Sequence, residues 1–329
     1  MLTINTQEPF RASWHPQHAH LDVDAQGPFL YVAYKIKYFI LYIPNTIVAC
    51  CINPRRATVF APFSETDKID GFQFRHFRKE IMTPDGVSLT ADVQLNGDDP
   101  SKNPTVILFN PVGANHFIHG SLTTELIRAG CNVVKFDYRG LGDTWQKEDL
   151  EIDGESVYQY VTQELGMHED QVHLYGFSLG GAVSLQVKGL HPENAGKYVG
   201  DRSFKSLFDL ITETLCIAQL GLCVKKVTMA ISSILIAYPI YLLGWEWDGN
   251  RVVDQIQGEK LFIYHPNDVL IPFEASLAKD KPNSEVIRLN PEETGAQTHF
   301  GTLDNQRLEG RGSALKPVVA FLAGHSIDS

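Results

Sequence analysis

The segment of residues 172–185 contains a serine framed by two glycines, in the spacing G-x-S-x-G from Gly176 through Ser178 to Gly180. A serine on a sharp strand-to-helix turn needs glycines at these positions, because side chains two residues before and after it would collide. The pattern alone occurs often by chance. Here a β-branched and aromatic run precedes the serine, and a run without a helix breaker follows it. This context predicts a nucleophile at Ser178.

A serine hydroxyl becomes a good nucleophile only when a base accepts its proton and an acid orients that base. Residues 261–265 have the pattern of a strand, and the turn after them exposes Asp268. Residues 285–289 have the pattern of another strand, which leads into a polar loop containing His299. We therefore interpret Asp268 as the acid and His299 as the base. The competing interpretations are a helix cap for Asp268 and a surface loop residue for His299.

Four features together resemble the α/β-hydrolase superfamily, from about residue 73 to the end of the chain. They are TPDGVSL at 83–89 as an opening hairpin, FDYRGLGD at 136–143 after the fourth strand, the serine turn, and the order Ser178, Asp268, His299. The chain is similar to lipase-like and acyl-protein-thioesterase-like members. It also resembles a bacterial group named after a chlamydial surface protein, which has a segment like DRSF at 201–204.

The resemblance also implies an oxyanion hole, in which two backbone N–H groups face the tetrahedral intermediate. Leu179 follows the nucleophile and supplies the first donor. The loop after the strand at 105–109 supplies the second, and it carries Asn110-Pro111 where lipases have a His-Gly pair. Proline has no N–H, so Val112 is the expected donor, with Gly113 as the substitute. An ordinary turn is the alternative interpretation of this loop.

Length and composition fit one catalytic domain, since 329 residues with 43% hydrophobic content can bury a large core. Strands alternate with amphipathic segments between residues 105 and 289, which predicts a mostly parallel twisted sheet with helices on both faces. The opening hairpin makes the sheet mixed. We predict an N-terminal extension at 1–72 and an α/β-hydrolase domain at 73–329, with a helical cap inserted at 206–249.

Two apolar segments are not explained by the hydrolase core. Residues 29–43 place four tyrosines on one helical face and include Lys35 and Lys37, a composition that suits a membrane interface or a helix packed on the domain. Residues 227–245 carry no charge over nineteen positions, which approaches the length of a membrane span. Because this run lies between the DRSF segment and the Asp268 strand, we interpret it as part of the cap. Core packing is the alternative.

Charge and cysteine content restrict partners and location. The formal net charge of −11 disfavours nucleic-acid binding. The five cysteines lack metal spacing and are odd in number, which favours a reducing compartment. They are Cys50, Cys51, Cys131, Cys216 and Cys223. The N-terminus lacks the pattern of a secretory signal peptide. We expect a cytoplasmic protein, or one translocated without such a signal, with peripheral membrane contact as a further option.

These features predict a serine hydrolase that cleaves carboxylic esters or thioesters by acyl transfer through Ser178, with no metal and no cofactor. The apolar cap and the tyrosine-rich segment favour lipids or acylated proteins as substrates. The alternatives are a small-ester hydrolase and a non-hydrolytic α/β-hydrolase relative. An alternative from another class is a non-enzymatic protein that keeps the fold and binds a lipid or a partner.

Overall fold

A computed structural model describes residues 66–69, 72–140, 146–217, 245–279, 281, 284–308 and 312–324. The aromatic-rich segment 29–43 lies outside these residues, and so does the uncharged run from 227 to 244. Their predicted contacts with a membrane or with acyl chains stay predictions. No helix within the described parts of the chain combines the length and the apolar character needed to cross a bilayer.

Nine strands of the described chain form one sheet in the order β1-β2-β3-β5-β4-β6-β7-β8-β9. The strands are β1 (Thr66–Ile69), β2 (Phe72–Met82), β3 (Ser88–Asn96), β4 (Thr105–Phe109), β5 (Asn132–Phe136), β6 (Val172–Phe177), β7 (Tyr198–Asp201), β8 (Lys260–Tyr264) and β9 (Glu285–Arg288). The first three pair antiparallel, and β3 pairs antiparallel with β5. All other neighbours pair in parallel. The predicted mixed, mostly parallel sheet is confirmed.

Helices cover both faces of this sheet, as predicted. They are α1 (Gly120–Arg128), α2 (Lys147–Gln159), α3 (Leu179–Leu190), α4 (Leu207–Ile217), α5 (Gly249–Gln255), α6 (Gln297–Phe300) and α7 (Leu315–Ala323). Successive side chains of a strand point to opposite faces. Ile107 and Phe109 therefore join the core formed with α2, α3 and α5, whereas Val106 and Leu108 join the core formed with α1 and α7.

The central strands are apolar because both of their faces are covered. Every residue of β4, β5, β6 and β7 is buried, the pattern expected for parallel strands between two helical layers. The edge strand β9 is mostly exposed. Since β6 lies between β4 and β7, the residue that follows β6 emerges at the middle of the carboxyl edge of the sheet. Ligands of open α/β sheets bind at this edge.

Described elements lie at two of the boundaries drawn from the sequence, and the domain bounds themselves stay predictions. β1 pairs antiparallel with the start of β2, so the first described strand of the sheet begins at Thr66, and residue 73, where the predicted domain begins, lies inside β2. The predicted cap at 206–249 opens with a helix, α4. The Ser206 hydroxyl donates to Asp209 and accepts a hydrogen bond from the Asp209 N–H, at 2.9 Å each. This reciprocal capping explains why the helix begins there.

Candidate active site

The turn between β6 and α3 holds Ser178 in a backbone conformation that non-glycine residues rarely adopt, with φ at +53°. The flanking glycines are required by close packing. A Cβ on Gly176 would lie 2.3 Å from the carbonyl oxygen of Gly180, and a Cβ on Gly180 would lie 2.3 Å from the carbonyl oxygen of Phe109. The strand, turn and helix predicted around the serine are observed, and they place its hydroxyl at the carboxyl edge of the sheet.

Three side chains that are distant in sequence form a continuous hydrogen-bonded row. His299 Nε2 lies 3.0 Å from Ser178 Oγ, and His299 Nδ1 lies 2.9 and 3.0 Å from the two carboxylate oxygens of Asp268. Because an ionised carboxylate only accepts, Nδ1 carries the proton and Nε2 is free to accept one from the serine. The structure thus brings together the serine, acid and base named from the sequence. Their catalytic roles stay predictions.

The three side chains are brought together by the elements that carry them, and they are buried. Asp268 lies in the turn after β8, and His299 lies in the four-residue helix α6. His299 and Ser178 are 1% and 6% exposed. Asp268 Oδ1 also accepts hydrogen bonds from the backbone N–H groups of Leu270 and Ile271, at 2.8 Å each. The carboxylate therefore caps its own turn, as the competing interpretation holds, and reaches the imidazole as well.

The two predicted oxyanion donors lie in adjoining loops. Leu179 is the first residue of α3, so its N–H has no acceptor within the helix. Val112 lies in a tight turn in which the Ala114 N–H reaches the Pro111 carbonyl at 3.4 Å. Gly113 has φ at +71°, which the third position of a type II turn requires. The close approach of Gly180 to Phe109 and Asn110 places this loop beside the serine turn. The donor roles stay predictions.

Comparison with known proteins bears on the fold. No known protein-family profile matches the chain. An esterase from Pyrococcus furiosus shares the architecture with a TM-score of 0.52 and 17% identity, over 75% of this chain and 90% of that one. The chain has the α/β-hydrolase fold. The fold that the resemblance predicted from the sequence is confirmed.

Two proteins with related sequences are each 24% identical to this chain, which is too low an identity to show a shared family. Protein bem46 of Schizosaccharomyces pombe is 24% identical over 145 residues, which are 43% of this chain and 48% of that protein. The aligned region therefore spans about half of the yeast protein. An uncharacterized protein of Acanthamoeba polyphaga mimivirus, R595, is 24% identical over 224 residues, which are 64% of this chain and 72% of the viral protein.

In this α/β-hydrolase fold, the loop that holds Val112 is tied to the end of β5. The Asn110 amide donates to the Phe136 carbonyl at 2.7 Å. Asp137 accepts from the His116 backbone N–H at 2.8 Å and lies 2.9 Å from the Nδ1 atom of the same histidine. The departure from the lipase-like His-Gly pair thus has a structural role, since Asn110 connects two neighbouring strands.

Burial keeps a second histidine, His119, neutral near the candidate site. His119 is 4% exposed and meets the ring of Tyr175 edge-on at 5.7 Å. Burial, assisted by the positive charge of Lys135, lowers the pKa of His119 to about 3. A neutral imidazole contributes no charge to the adjacent small cavity, which Phe177 and Arg202 also line.

Sequence reasoning did not predict the contacts of Arg202, which follows β7 and is 1% exposed. Its guanidinium reaches the carbonyl of His299, the residue that also contacts Ser178. The sequence feature that could have indicated these contacts is the adjacent Asp-Arg pair at the carboxyl end of a buried strand. A charged side chain is rarely buried there without a partner. Within the described residues, no group of three His, Cys, Asp or Glu side chains is placed to hold a metal ion.

Proposed function

We propose that this protein is a serine hydrolase that cleaves carboxylic esters or thioesters through an acyl-enzyme on Ser178. The observation that supports this proposal most directly is the unbroken row from the Ser178 hydroxyl through His299 to Asp268. A further support is that the Pyrococcus furiosus protein with a similar fold is an esterase. A protein that only binds a ligand has no need for all three groups in this geometry.

In the proposed reaction, Ser178 Oγ attacks the carbonyl carbon of the substrate while His299 Nε2 accepts the hydroxyl proton. Asp268 holds the imidazole in the correct tautomer and stabilises the imidazolium. The negative charge on the tetrahedral oxygen faces the Leu179 and Val112 N–H groups. Collapse of this intermediate expels the alcohol or thiol, which takes the proton from His299. A water molecule, deprotonated by His299, then attacks the acyl carbon. The bond from that carbon to Ser178 Oγ breaks, Oγ takes the proton back from His299, and the acid is released.

We further propose that the acyl group is apolar and comes from a lipid or an acylated protein. Several large apolar side chains that closely follow Asp268 or His299 in the chain are exposed to solvent. They are Val269 at 47%, Leu270 and Phe273 at 38%, and Phe300 at 54%. Val269 and Leu270 directly follow Asp268, and Phe300 directly follows His299. Apolar side chains grouped around a site offer favourable burial to an apolar substrate.

The chemistry can be tested with a fluorophosphonate probe, which labels serines activated by a neighbouring base. Wild-type protein should be labelled, and Ser178→Ala should not. Ser184→Ala is the matched control, because Ser184 lies in the same α3 helix and its hydroxyl instead contacts the Gly181 carbonyl at 3.2 Å. Unlabelled wild-type protein that is folded would favour the non-enzymatic alternative, and labelled Ser178→Ala would exclude the proposed nucleophile.

The substrate class can be tested with nitrophenyl esters and acyl thioesters of increasing chain length, below their micelle concentrations. Each buried methylene stabilises by up to about 0.8 kcal/mol, so kcat/KM should rise about fourfold per carbon before it levels off. Val269→Asn should reduce this dependence, whereas Val286→Asn, at a valine of similar exposure on β9, should not. A wild-type preference for acetyl esters would instead support the small-ester alternative.

A further inference from the structure

We infer that the pair Asp201-Arg202 positions the three proposed catalytic side chains relative to one another, with Arg202 holding the loop of His299. This inference rests on the proposed function. Arg202 does not contact the substrate carbonyl in this scheme. It acts through His299, and we therefore regard it as a positioning residue.

The backbone of the pair connects the loops of the nucleophile and the acid. β7 lies between β6, which leads to Ser178, and β8, which leads to Asp268. The Ser178 N–H donates to the Asp201 carbonyl at 2.9 Å. The Arg202 N–H donates to the Ile263 carbonyl of β8 at 2.8 Å. The Asp201 carbonyl and the Arg202 N–H belong to the same peptide group, so one peptide sets where the serine turn and the strand of the acid lie relative to each other.

The Arg202 side chain connects the same pair to the loop of the base. Its Nη1 donates to the carbonyls of His299 and Gly301, at 2.9 and 2.7 Å. The helix α6 has only four residues and cannot satisfy its last carbonyls internally. The guanidinium supplies the missing donors, and so fixes where this helix ends and where His299 stands.

The aspartate keeps the guanidinium in place. Arg202 Nε and Nη2 donate to the two carboxylate oxygens of Asp201, at 2.8 and 3.0 Å, and the Tyr175 hydroxyl donates to the same carboxylate at 2.6 Å. Asp201 is fully buried. A buried charge is tolerated only with a close partner and satisfied hydrogen bonds, and the planar fork of arginine provides both.

An aromatic ring links the guanidinium to the imidazole on a second side. The Arg202 guanidinium carbon lies 4.5 Å from the centroid of the Phe177 ring. That ring lies 5.6 Å from the imidazole of His299, with 32° between the two planes. Arg202 therefore restrains both the backbone of His299 and, through Phe177, the plane of its ring.

The backbone is strained at both Ser178 and Arg202. Ser178 and Arg202, with φ at +53° and +45°, are the non-glycine residues of the described chain that adopt positive φ. Such conformations persist where the surrounding contacts determine them, and they concentrate at functional sites. The strained serine and the strained arginine are joined through the Asp201 carbonyl.

The test is Arg202→Lys, measured with a nitrophenyl ester that the wild type cleaves. A lysine ammonium has three donors on a flexible stem and cannot hold two carbonyls and a bidentate carboxylate together. A misplacement of the base by about 1 Å can cost about 100-fold in rate. We expect kcat to fall about 10- to 100-fold with KM nearly unchanged. The low-field proton NMR signal of the His299 Nδ1–H bonded to Asp268 should weaken or disappear.

Arg139→Lys is the matched control. Arg139 is also fully buried and also donates to aspartates, here Asp85 and Asp153, but the hydrogen bonds of its side chain hold structural carboxylates away from the three catalytic candidates. This variant should lose stability and keep the kcat of the folded protein. A wild-type kcat in Arg202→Lys would overturn the inference. Equal losses of kcat in both arginine variants would also overturn it.

A second variant covers the case in which Arg202→Lys does not fold. Asp201→Asn keeps the shape of the side chain and removes the charge that holds the guanidinium. Reduced kcat with unchanged KM supports the inference, and wild-type kcat overturns it. Failure of the proposed function has a different signature, because wild-type protein would then neither hydrolyse the ester nor react with the fluorophosphonate.

Discussion

At the scale of single residues, Asp268 shows how one carboxylate meets two demands. Oδ1 accepts two backbone N–H groups that close its turn, and both oxygens lie within hydrogen-bond range of His299 Nδ1. The hydrogen bonds from the backbone N–H groups orient the Asp268 carboxylate independently of its contact with the imidazole. A capping aspartate and an orienting aspartate are therefore compatible roles, although the sequence presents them as alternatives.

The double role of Asp268 makes Asp268→Asn a sharp test. The asparagine oxygen can keep the bonds from the N–H groups of Leu270 and Ile271, so the turn should remain folded. Its amide would then face His299 Nδ1 as a donor and favour the wrong tautomer. We expect kcat for ester hydrolysis to fall about 10⁴-fold, with little change in the melting temperature.

Circular dichroism and steady-state kinetics on the same sample would separate the two effects of Asp268→Asn. Unchanged kcat would show that Asp268 only caps the turn. A collapse of stability with normal activity per folded molecule would lead to the same conclusion.

At the scale of elements, the site depends on how closely α3 approaches the end of β4. Gly180 lies where any Cβ would contact the carbonyl oxygens of Phe109 and Asn110, at 2.3 and 2.7 Å. Both contacts are with backbone atoms, which cannot move without shifting the loop that carries Val112. The same close approach brings the Leu179 and Val112 loops together, so packing and the proposed oxyanion hole have one cause.

Gly180→Ala should therefore damage stability and reactivity together. Forcing a methyl group into a filled space costs about 1–3 kcal/mol or more, and the displaced loops should slow fluorophosphonate labelling. Urea unfolding and the labelling rate measure the two effects.

Gly120→Ala provides the control for this substitution. Gly120 begins α1 in helical conformation, and a Cβ there would have no atom within 4 Å. This change should be neutral or should stabilise by up to about 1 kcal/mol. Similar behaviour of the two alanine variants would contradict the proposed close approach at Gly180.

At the scale of the whole molecule, charged groups are buried on the antiparallel side of the sheet. Asp92 on β3 faces Lys135 on β5 in the pairing register, with 2.9 Å between their charged atoms, and it also contacts His76 on β2. Burial opposes ionisation of Asp92, but the hydrogen bond from His76 and the charge of Lys135 outweigh it and lower the pKa to about 2. Three neighbouring strands are thus joined by one carboxylate.

This pairing predicts how stability depends on pH. The pKa of Asp92 is lower in the folded chain than in the unfolded chain, so its contribution is present above pH 4 and disappears as pH falls from about 4 towards 2. The contribution is roughly 2 kcal/mol. Asp92→Asn should therefore be clearly less stable than wild type at pH 7, and the difference should narrow at pH 3.

Urea unfolding at the two pH values would check the prediction for Asp92→Asn. The exposed neighbour Asp98 supplies the control, and Asp98→Asn should follow the wild-type curve throughout. A stability difference that stays constant between pH 7 and pH 3 would mean that the charge of Asp92 is not the cause.

Much of the fold could be predicted from the sequence because its elements are encoded by neighbouring residues. Strand β4 was located at its observed bounds from an apolar run, and β8 was located within one residue of its bounds. The serine turn was located from the spacing of Gly176 and Gly180. The superfamily resemblance then ordered Asp268 and His299 along the chain. The strand β1 was missed, since four residues of mixed polarity carry no periodic signal and become a strand only by pairing with β2.

By itself, the sequence determined the serine turn, because the glycines whose missing side chains allow its close packing stand two residues before and after Ser178. Tertiary structure alone decided which groups contact the loop of the proposed base. Arg202 contacts the loop of His299, almost a hundred residues later, only because β7 ends between the strands that lead to Ser178 and Asp268. Local steric constraints can be inferred from neighbouring residues, whereas a hydrogen bond between distant segments depends on where the sheet brings their ends together.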